Sequence, residues 1–355
     1  MRDCPNQTQN GPLSVCNLRK EKIMKDYIGN SLQIRGAERY ILEGGKGDGM
    51  HFVSVRNGKG LEAWISLDRV GDISRLSFMG DNMGYFSACG YVAPQYYDGV
   101  GAGFLKSFTA GFFTTCGLTA VGSPCADDGE ELPLHGTVSH IPAELIALEE
   151  NEEGLTVKLK VIDAVLFGRK LVMNRCYFFS YTENSFAVTD TVTNEGDTES
   201  PFSILYHCNM GWPLLSENSD VRIPNSKVTP RDDHAKAFAD TALQMETPQT
   251  RYQERCYYYD VLEKDGHARA GIYNDDIGKG LVMCYDKSTL PYFTEWKMMG
   301  KRDYVLGLEP GNCTPDGRDV LRKNGTLKFL QPEESCTTSI TFKFLTEKND
   351  YEKAF

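Results

Sequence analysis

The sequence has no run of about eighteen apolar residues, so no helix able to cross a membrane is expected. Its first residues, Met1-Arg2-Asp3-Cys4-Pro5-Asn6-Gln7, lack the apolar stretch of a secretory signal. Positive charge is not in excess either. With 38 Lys+Arg against 49 Asp+Glu the formal charge is −11, which weighs against nonspecific binding to nucleic acid. No CxxC pair occurs, and the eleven cysteines stand singly. An odd, scattered set fits reduced thiols and a cytoplasmic location better than a disulfide framework. HxH, HExxH and cysteine quartets are missing, so no metal site is expected. No GxGxxG follows a strand, and no Gly-x-Ser-x-Gly is present, which disfavours a nucleotide-binding α/β fold and a hydrolase nucleophile elbow. A polar or neutral small molecule is the partner this composition leaves.

What the chain does have is strand patterning. Leu155-Thr156-Val157-Lys158-Leu159-Lys160-Val161 alternates apolar and polar, the mark of a half-buried strand. Similar runs follow at residues 170–181, 185–193, 202–207, 255–262, 269–273, 281–285 and 337–344, punctuated by Gly, Asn, Asp and Pro. Helical signals are few; residues 18–28 fit one short amphipathic helix. Many antiparallel strands in 355 residues point to a large all-β sandwich or barrel. We expect residues 1–45 to form an extension bearing that helix and residues 46–350 to form the β domain. Residues 216–237 read as a long polar excursion. Residues 99–111 read as a glycine-rich loop whose aromatics plug the sandwich.

Three residues in apolar, strand-like settings stand out: His135, His207 and Glu309. A carboxylate near neutral imidazoles is what proton shuttling near pH 7 needs. Glu309 follows Tyr304-Val305-Leu306-Gly307-Leu308 and precedes Pro310, where a turn is expected. It must be paired, for instance with Lys297 or Arg318, or face a cleft. His135, in Leu134-His135-Gly136, reads on its own as a turn histidine capping a carbonyl. His207 leads into Asn209 and Trp212, a polar cluster beside an aromatic platform, as in sugar sites, with a satisfied core histidine as the alternative. Trp296 and Lys297 offer a second platform and an amine, or a core Trp and a snorkelling Lys. Arg69 and Asp72, in Asp68-Arg69-Val70-Gly71-Asp72, fit an ion-paired turn or ligand binding.

Taken in order, Leu134-His135-Gly136, Ile141-Pro142-Ala143, Asp190-Thr191-Val192-Thr193-Asn194, Leu205-Tyr206-His207-x-Asn209-x-Gly211-x-Pro213-Leu214 and Tyr304-Val305-Leu306-Gly307-Leu308-Glu309-Pro310 resemble the aldose 1-epimerase (galactose mutarotase-like) superfamily, in particular a bacterial branch of it. Asp68-Arg69-x-Gly71-Asp72-Ile73 and Thr115-Cys116-Gly117-Leu118 also resemble that branch. The resemblance covers roughly residues 50–345. It implies a large antiparallel supersandwich, a cofactor-free interconversion of α and β anomers, and a monosaccharide as ligand. By the same resemblance Glu309 is the general base, His207 the general acid, and His135 hydrogen-bonds the sugar. The family's early Asn-Arg pair has no confident counterpart; only Arg69 and Asp72 lie in a comparable region. Its sugar-gripping aspartate falls at Asp232 or Asp233. Asn209, Trp212, Trp296 and Lys297 complete the expected binding set, in a monomer or homodimer that binds neither nucleic acid nor membrane. The alternatives are a non-catalytic carbohydrate-binding protein, a sugar-phosphate epimerase using Arg231, Lys297, Arg302 and Arg318, or a lyase or hydrolase on the same fold.

Overall fold

The period-two runs become strands of two large antiparallel sheets. The computed structural model describes residues 26–355. The run around residue 158 is the strand Gly154–Ala164, with burial alternating along most of its length. It pairs between Glu144–Glu150 and Lys170–Ser180. Beyond these the sheet continues through Ser185–Asn194, Ser335–Leu345, Lys279–Tyr285, His267–Asn274 and Ser219–Arg222. Each alternating strand presents one face to the sandwich interior, so register is fixed by burial.

The second sheet positions the site, and its strands are labelled here. They are β1 (Phe113–Leu118), β2 (Ser200–Met210), β3 (Asn225–Pro230), β4 (Arg255–Val261), β5 (Tyr292–Met299), β6 (Tyr304–Gly311) and β7 (Lys328–Leu330). They pair in the order β3-β4-β5-β6-β2-β7, with β1 also paired to β2. The inner faces of the two sheets share one apolar core. At its centre Phe342 stacks on Phe186 at 4.8 Å and meets Phe112 edge-on at 5.2 Å. A smaller five-stranded sheet runs from Gly36–Ile41 through His51–Arg56, Leu61–Ser66 and Asp72–Phe78 to Asp81–Asn82.

Several expectations need correction. Gly36–Ile41 pairs along its length with His51–Arg56, so residues on either side of position 46 share one sheet. The helix expected over residues 18–28 lies almost entirely outside the described residues. Residues 216–237 are no loop. Ser219–Arg222 edges the nine-stranded sheet and β3 edges the site sheet, so this segment carries the chain from one layer to the other. Its polarity reflects the half-exposed edges it forms. Pro310 does not turn the chain either: β6 continues through it, opposite Phe293, because proline accepts extended backbone at the loss of one donor. Among the described residues eight cysteines are free thiols. Among the described residues no helix is long and apolar enough to cross a membrane.

Strand β2 shows why the sequence pattern fades near the site. Ten of its eleven residues are buried, as both its faces are covered. One face meets the core. Over the other lie Phe104 and Phe108 from the glycine-rich segment, packed with Leu134, Tyr85 and Trp296.

Candidate active site

The register of the site sheet lines up one row of side chains. Tyr258 of β4 pairs with Thr294 of β5, and Thr294 pairs with Glu309 of β6. Between the pairs Leu205–Gly311 and Cys208–Leu308, His207 stands opposite Glu309, and His207 pairs with Thr114 of β1. Directly opposed residues share a sheet face, so Thr294, Glu309, His207 and Thr114 project together on the outer side. Separation in sequence is large, and the ladder removes it.

His207 Nδ1 lies 2.7 Å from Asn209 Oδ1 and 3.2 Å from Glu309 Oε1. Asn209 in turn donates from Nδ2 to the His207 carbonyl at 2.8 Å, which fixes its amide orientation. The Nδ1 proton is therefore directed at Asn209, and Glu309 Oε1 is left without a hydrogen-bond partner. The imidazole is clamped edge-on by Trp296, at 5.1 Å, and by Phe108, at 5.3 Å. Trp296 is held by its own indole N–H, which donates to Glu254 Oε2 at 2.7 Å.

His135 reaches the same place from a different segment. Its backbone has φ of 61°, in the left-handed region, next to Gly136 at 73°. A Cβ on Gly136 would sit 2.4 Å from the Gly117 carbonyl oxygen, so only glycine fits there. This turn carries the His135 ring to 5.5 Å from that of His207 and 5.2 Å from that of Phe104. The ring caps no carbonyl. Its Nδ1 is buried without a partner, as is Thr294 Oγ1. Three unsatisfied polar atoms around one spot mark a place arranged for something the protein itself does not supply.

Burial sets the charge states. It holds Glu309 well above the usual carboxylate range; Glu254 pushes the same way and Arg231 opposes it. Burial pulls His207 down to about 4, against the hydrogen bond it donates to Asn209, and His135 to about 3. Burial thus disfavours the charged form of both Glu309 and His207, 3.2 Å apart.

The other expected residues divide. Asn209 and Trp296 join this cluster. Lys297, one residue on from Trp296, points to the opposite face, where its ammonium pairs with Glu246 at 2.7 Å and donates to the Ala242 carbonyl at 3.1 Å. Arg69 donates to the Ser139, Val92 and Ser107 carbonyls. Asp72 is bound by Arg175 at 2.8 Å and by Thr115. Arg69 and Asp72 are thus spent inside the fold and do not pair with each other. Asp232 caps the short helix Asp233–Lys236 through the Ala235 N–H at 2.7 Å. Trp212 is 73% exposed and stands apart from the row. Neither suggested partner of Glu309 pairs with it, since Arg318 binds Asp127 and Glu130. The basic cluster a phosphate would need does not assemble around Glu309 either: Arg231 is paired to Glu254 at 3.1 Å.

Sequence reading missed Thr294, Glu254 and Gly307. Thr294 shares the parity of Trp296 on β5, a signal that was available. Gly307 stands between Trp296 and Asn209 in the next row, and a Cβ there would lie 2.2 Å from Glu309 Oε1. The missing side chain is the space the carboxylate occupies. Among the described residues no group of three or more His, Cys, Asp or Glu could hold a metal.

A family profile described as "Domain of unknown function (DUF4432)" matches residues 47–344. A search of curated proteins finds no match. Among solved structures, a provisionally assigned aldose 1-epimerase from Klebsiella pneumoniae superposes with a TM-score of 0.86 at 26% identity, over 91% of this chain and 88% of that one. A galactose mutarotase-like protein from Clostridium acetobutylicum gives 0.64 at 14% identity, over 88% and 99%. A galactose 1-epimerase from Lactobacillus acidophilus gives 0.59 at 14% identity, again over 88% and 99%. The fold is the galactose mutarotase-like β-sandwich.

Proposed function

The chain belongs to the DUF4432 family, and on that premise we propose that it is an aldose 1-epimerase-like isomerase acting on a monosaccharide. The observation that carries this reading is Glu309 beside His207 at 3.2 Å, with Glu309 Oε1 unsatisfied and the Trp296 and Phe108 rings packed edge-on against His207. Opening a hemiacetal requires a proton to leave the anomeric hydroxyl while another reaches the ring oxygen. A pair holding one proton supplies both.

In the active arrangement Glu309 is a carboxylate and His207 an imidazolium. Glu309 takes the O1 proton, the C1–O5 bond breaks as C1=O1 forms, and His207 protonates O5. The pair is then a neutral acid and a neutral imidazole. Rotation about C1–C2 turns the other carbonyl face to O5. Reclosure runs the transfers backwards and restores the starting pair with the anomer inverted. Asn209 holds the His207 ring in place throughout. His135 offers its free Nδ1 to a sugar hydroxyl. Such hydroxyls offset part of the desolvation that disfavours the charged forms of Glu309 and His207.

The test is anomer exchange by NMR on a panel of aldoses and uronates at equilibrium. Faster exchange with wild type, reduced about 10²–10⁴-fold in Glu309→Gln and in His207→Asn, is the expected result. Wild-type rates in both variants would sink the mechanism. Sugar-dependent thermal stabilisation with no acceleration for any sugar would move the assignment to a carbohydrate-binding protein.

A further inference from the structure

Next to the aromatic wall of the candidate site lies an open cleft of about 480 Å³, lined among others by Arg75, Asn82, Tyr85, Trp212 and Arg302. Neither His207 nor Glu309 lines it. Its size falls within the roughly 300–1,000 Å³ of small-molecule sites. Its charge runs against the composition of this acidic chain. Arg175, Arg222, Arg231, Arg255, Arg318 and Arg322 are each ion-paired. Arg75 and Arg302 are exposed, and neither meets a carboxylate within ion-pair distance among the described residues. Arg75 instead lies 4.7 Å over the Phe86 ring, which orients its guanidinium. Asp303, the acid beside Arg302, accepts the Tyr85 hydroxyl at 3.3 Å.

The cleft also holds a fixed platform. The exposed Trp212 has its backbone carbonyl held by Asn82 Nδ2 at 2.8 Å. A Cβ on the preceding Gly211 would sit 2.5 Å from the Gly84 carbonyl, so the backbone beneath the indole is packed tight. An exposed indole on a tight backbone suits the apolar face of a sugar ring. Two unpaired guanidinium groups suit a carboxylate, sulfate or phosphate, which they can grip in forked hydrogen bonds.

We propose that this cleft is a second binding site, separate from the His207–Glu309 row, for a saccharide bearing an anionic group. The ligand class rests on the carbohydrate reading of the neighbouring row, and the charge rests on the two free arginines. Tyr85 joins the two places, since it lines the cleft and packs in the cluster with Phe108 and Trp296.

Tryptophan fluorescence of the full chain, titrated with D-galacturonate, galactose 6-sulfate, galactose 6-phosphate and neutral galactose, tests the site, with Trp212→Phe as the control for the signal. At least one anionic sugar should bind about tenfold or more tighter than galactose, and Arg75→Gln and Arg302→Gln should each weaken it by a similar factor. Both arginines are exposed, so these variants should melt as wild type does. Binding should persist in Glu309→Gln. Which anion binds best identifies the acidic group. Equal binding of galactose, no binding of any probe, indifference to both arginine changes, or loss in Glu309→Gln would each overturn the proposal. Anion binding without anomer exchange would leave the cleft standing and remove the epimerase reading. Exchange without anion binding would do the reverse.

Discussion

At the scale of single residues, Glu309 is held where a carboxylate is unwelcome. A buried carboxyl whose pKa is raised on folding stabilises the fold fully below its unfolded value, and that contribution is lost as pH rises through the folded value. Glu309→Gln keeps the shape and removes the charge. It should therefore lower turnover about 10²–10⁴-fold while leaving the thermal midpoint at neutral pH unchanged or higher. A midpoint that fell by several degrees would mean that Glu309 is structural. Gly307→Ala is the complementary change, since the new methyl would meet Glu309 Oε1 at 2.2 Å. We expect it to displace the carboxylate and lower kcat about tenfold or more with a smaller effect on KM, which steady-state kinetics on the responsive sugar will check.

At the scale of an element, β5 places two chemistries on one strand. Thr294 and Trp296 face the site, whereas Glu295 and Lys297 face inward, as period two requires. Lys297→Met leaves Glu246 without its closest amine partner and strips the Ala242 carbonyl of a donor. Glu246 keeps Arg255 at 2.7 Å, so the lost buried ammonium should lower the thermal midpoint moderately while turnover per folded molecule stays the same. Loss of turnover at an unchanged midpoint would return Lys297 to the site. Glu295 accepts from the Tyr259 hydroxyl at 2.6 Å and is raised by burial to about 7 from 4.5. Its contribution, about 3 kcal/mol, is complete below the unfolded value and disappears as pH rises through about 7. Thermal melts of Glu295→Gln should accordingly be flatter than wild type between about pH 5 and 8.

For the whole molecule the buried histidines act in the opposite direction. Burial depresses His207 to about 4, His135 to about 3 and His140 to about 2, where His140 also feels Arg69. Groups with depressed values stabilise above their unfolded value near 6.5 and lose that contribution as pH falls. Set against Glu309 and Glu295, which weaken the fold as pH rises, they predict a stability maximum between about pH 6 and 7. Calorimetric melts across that range check it; a midpoint still rising at about pH 8 would contradict the raised value of Glu295.

The sequence by itself determined the strands and the three central residues. Alternation marked Gly154–Ala164 and its neighbours because each has one face in the core and one toward solvent. His135, His207 and Glu309 stood out because polar groups in apolar runs need a reason. The two faces of the site sheet were decided only by tertiary structure. Along β2 both faces are buried, so the period-two signal vanishes, and polarity could not tell which side Asn209 or Tyr206 would take. The same ambiguity made Lys297 look like a partner of Trp296 when the pleat sends them apart. Arg69 and Asp72 were legible as charged but not as spent, because their partners lie 23 to 103 residues away. A sequence records which groups must be satisfied, and the packing of distant strands decides which are satisfied by the protein and which are left for a ligand.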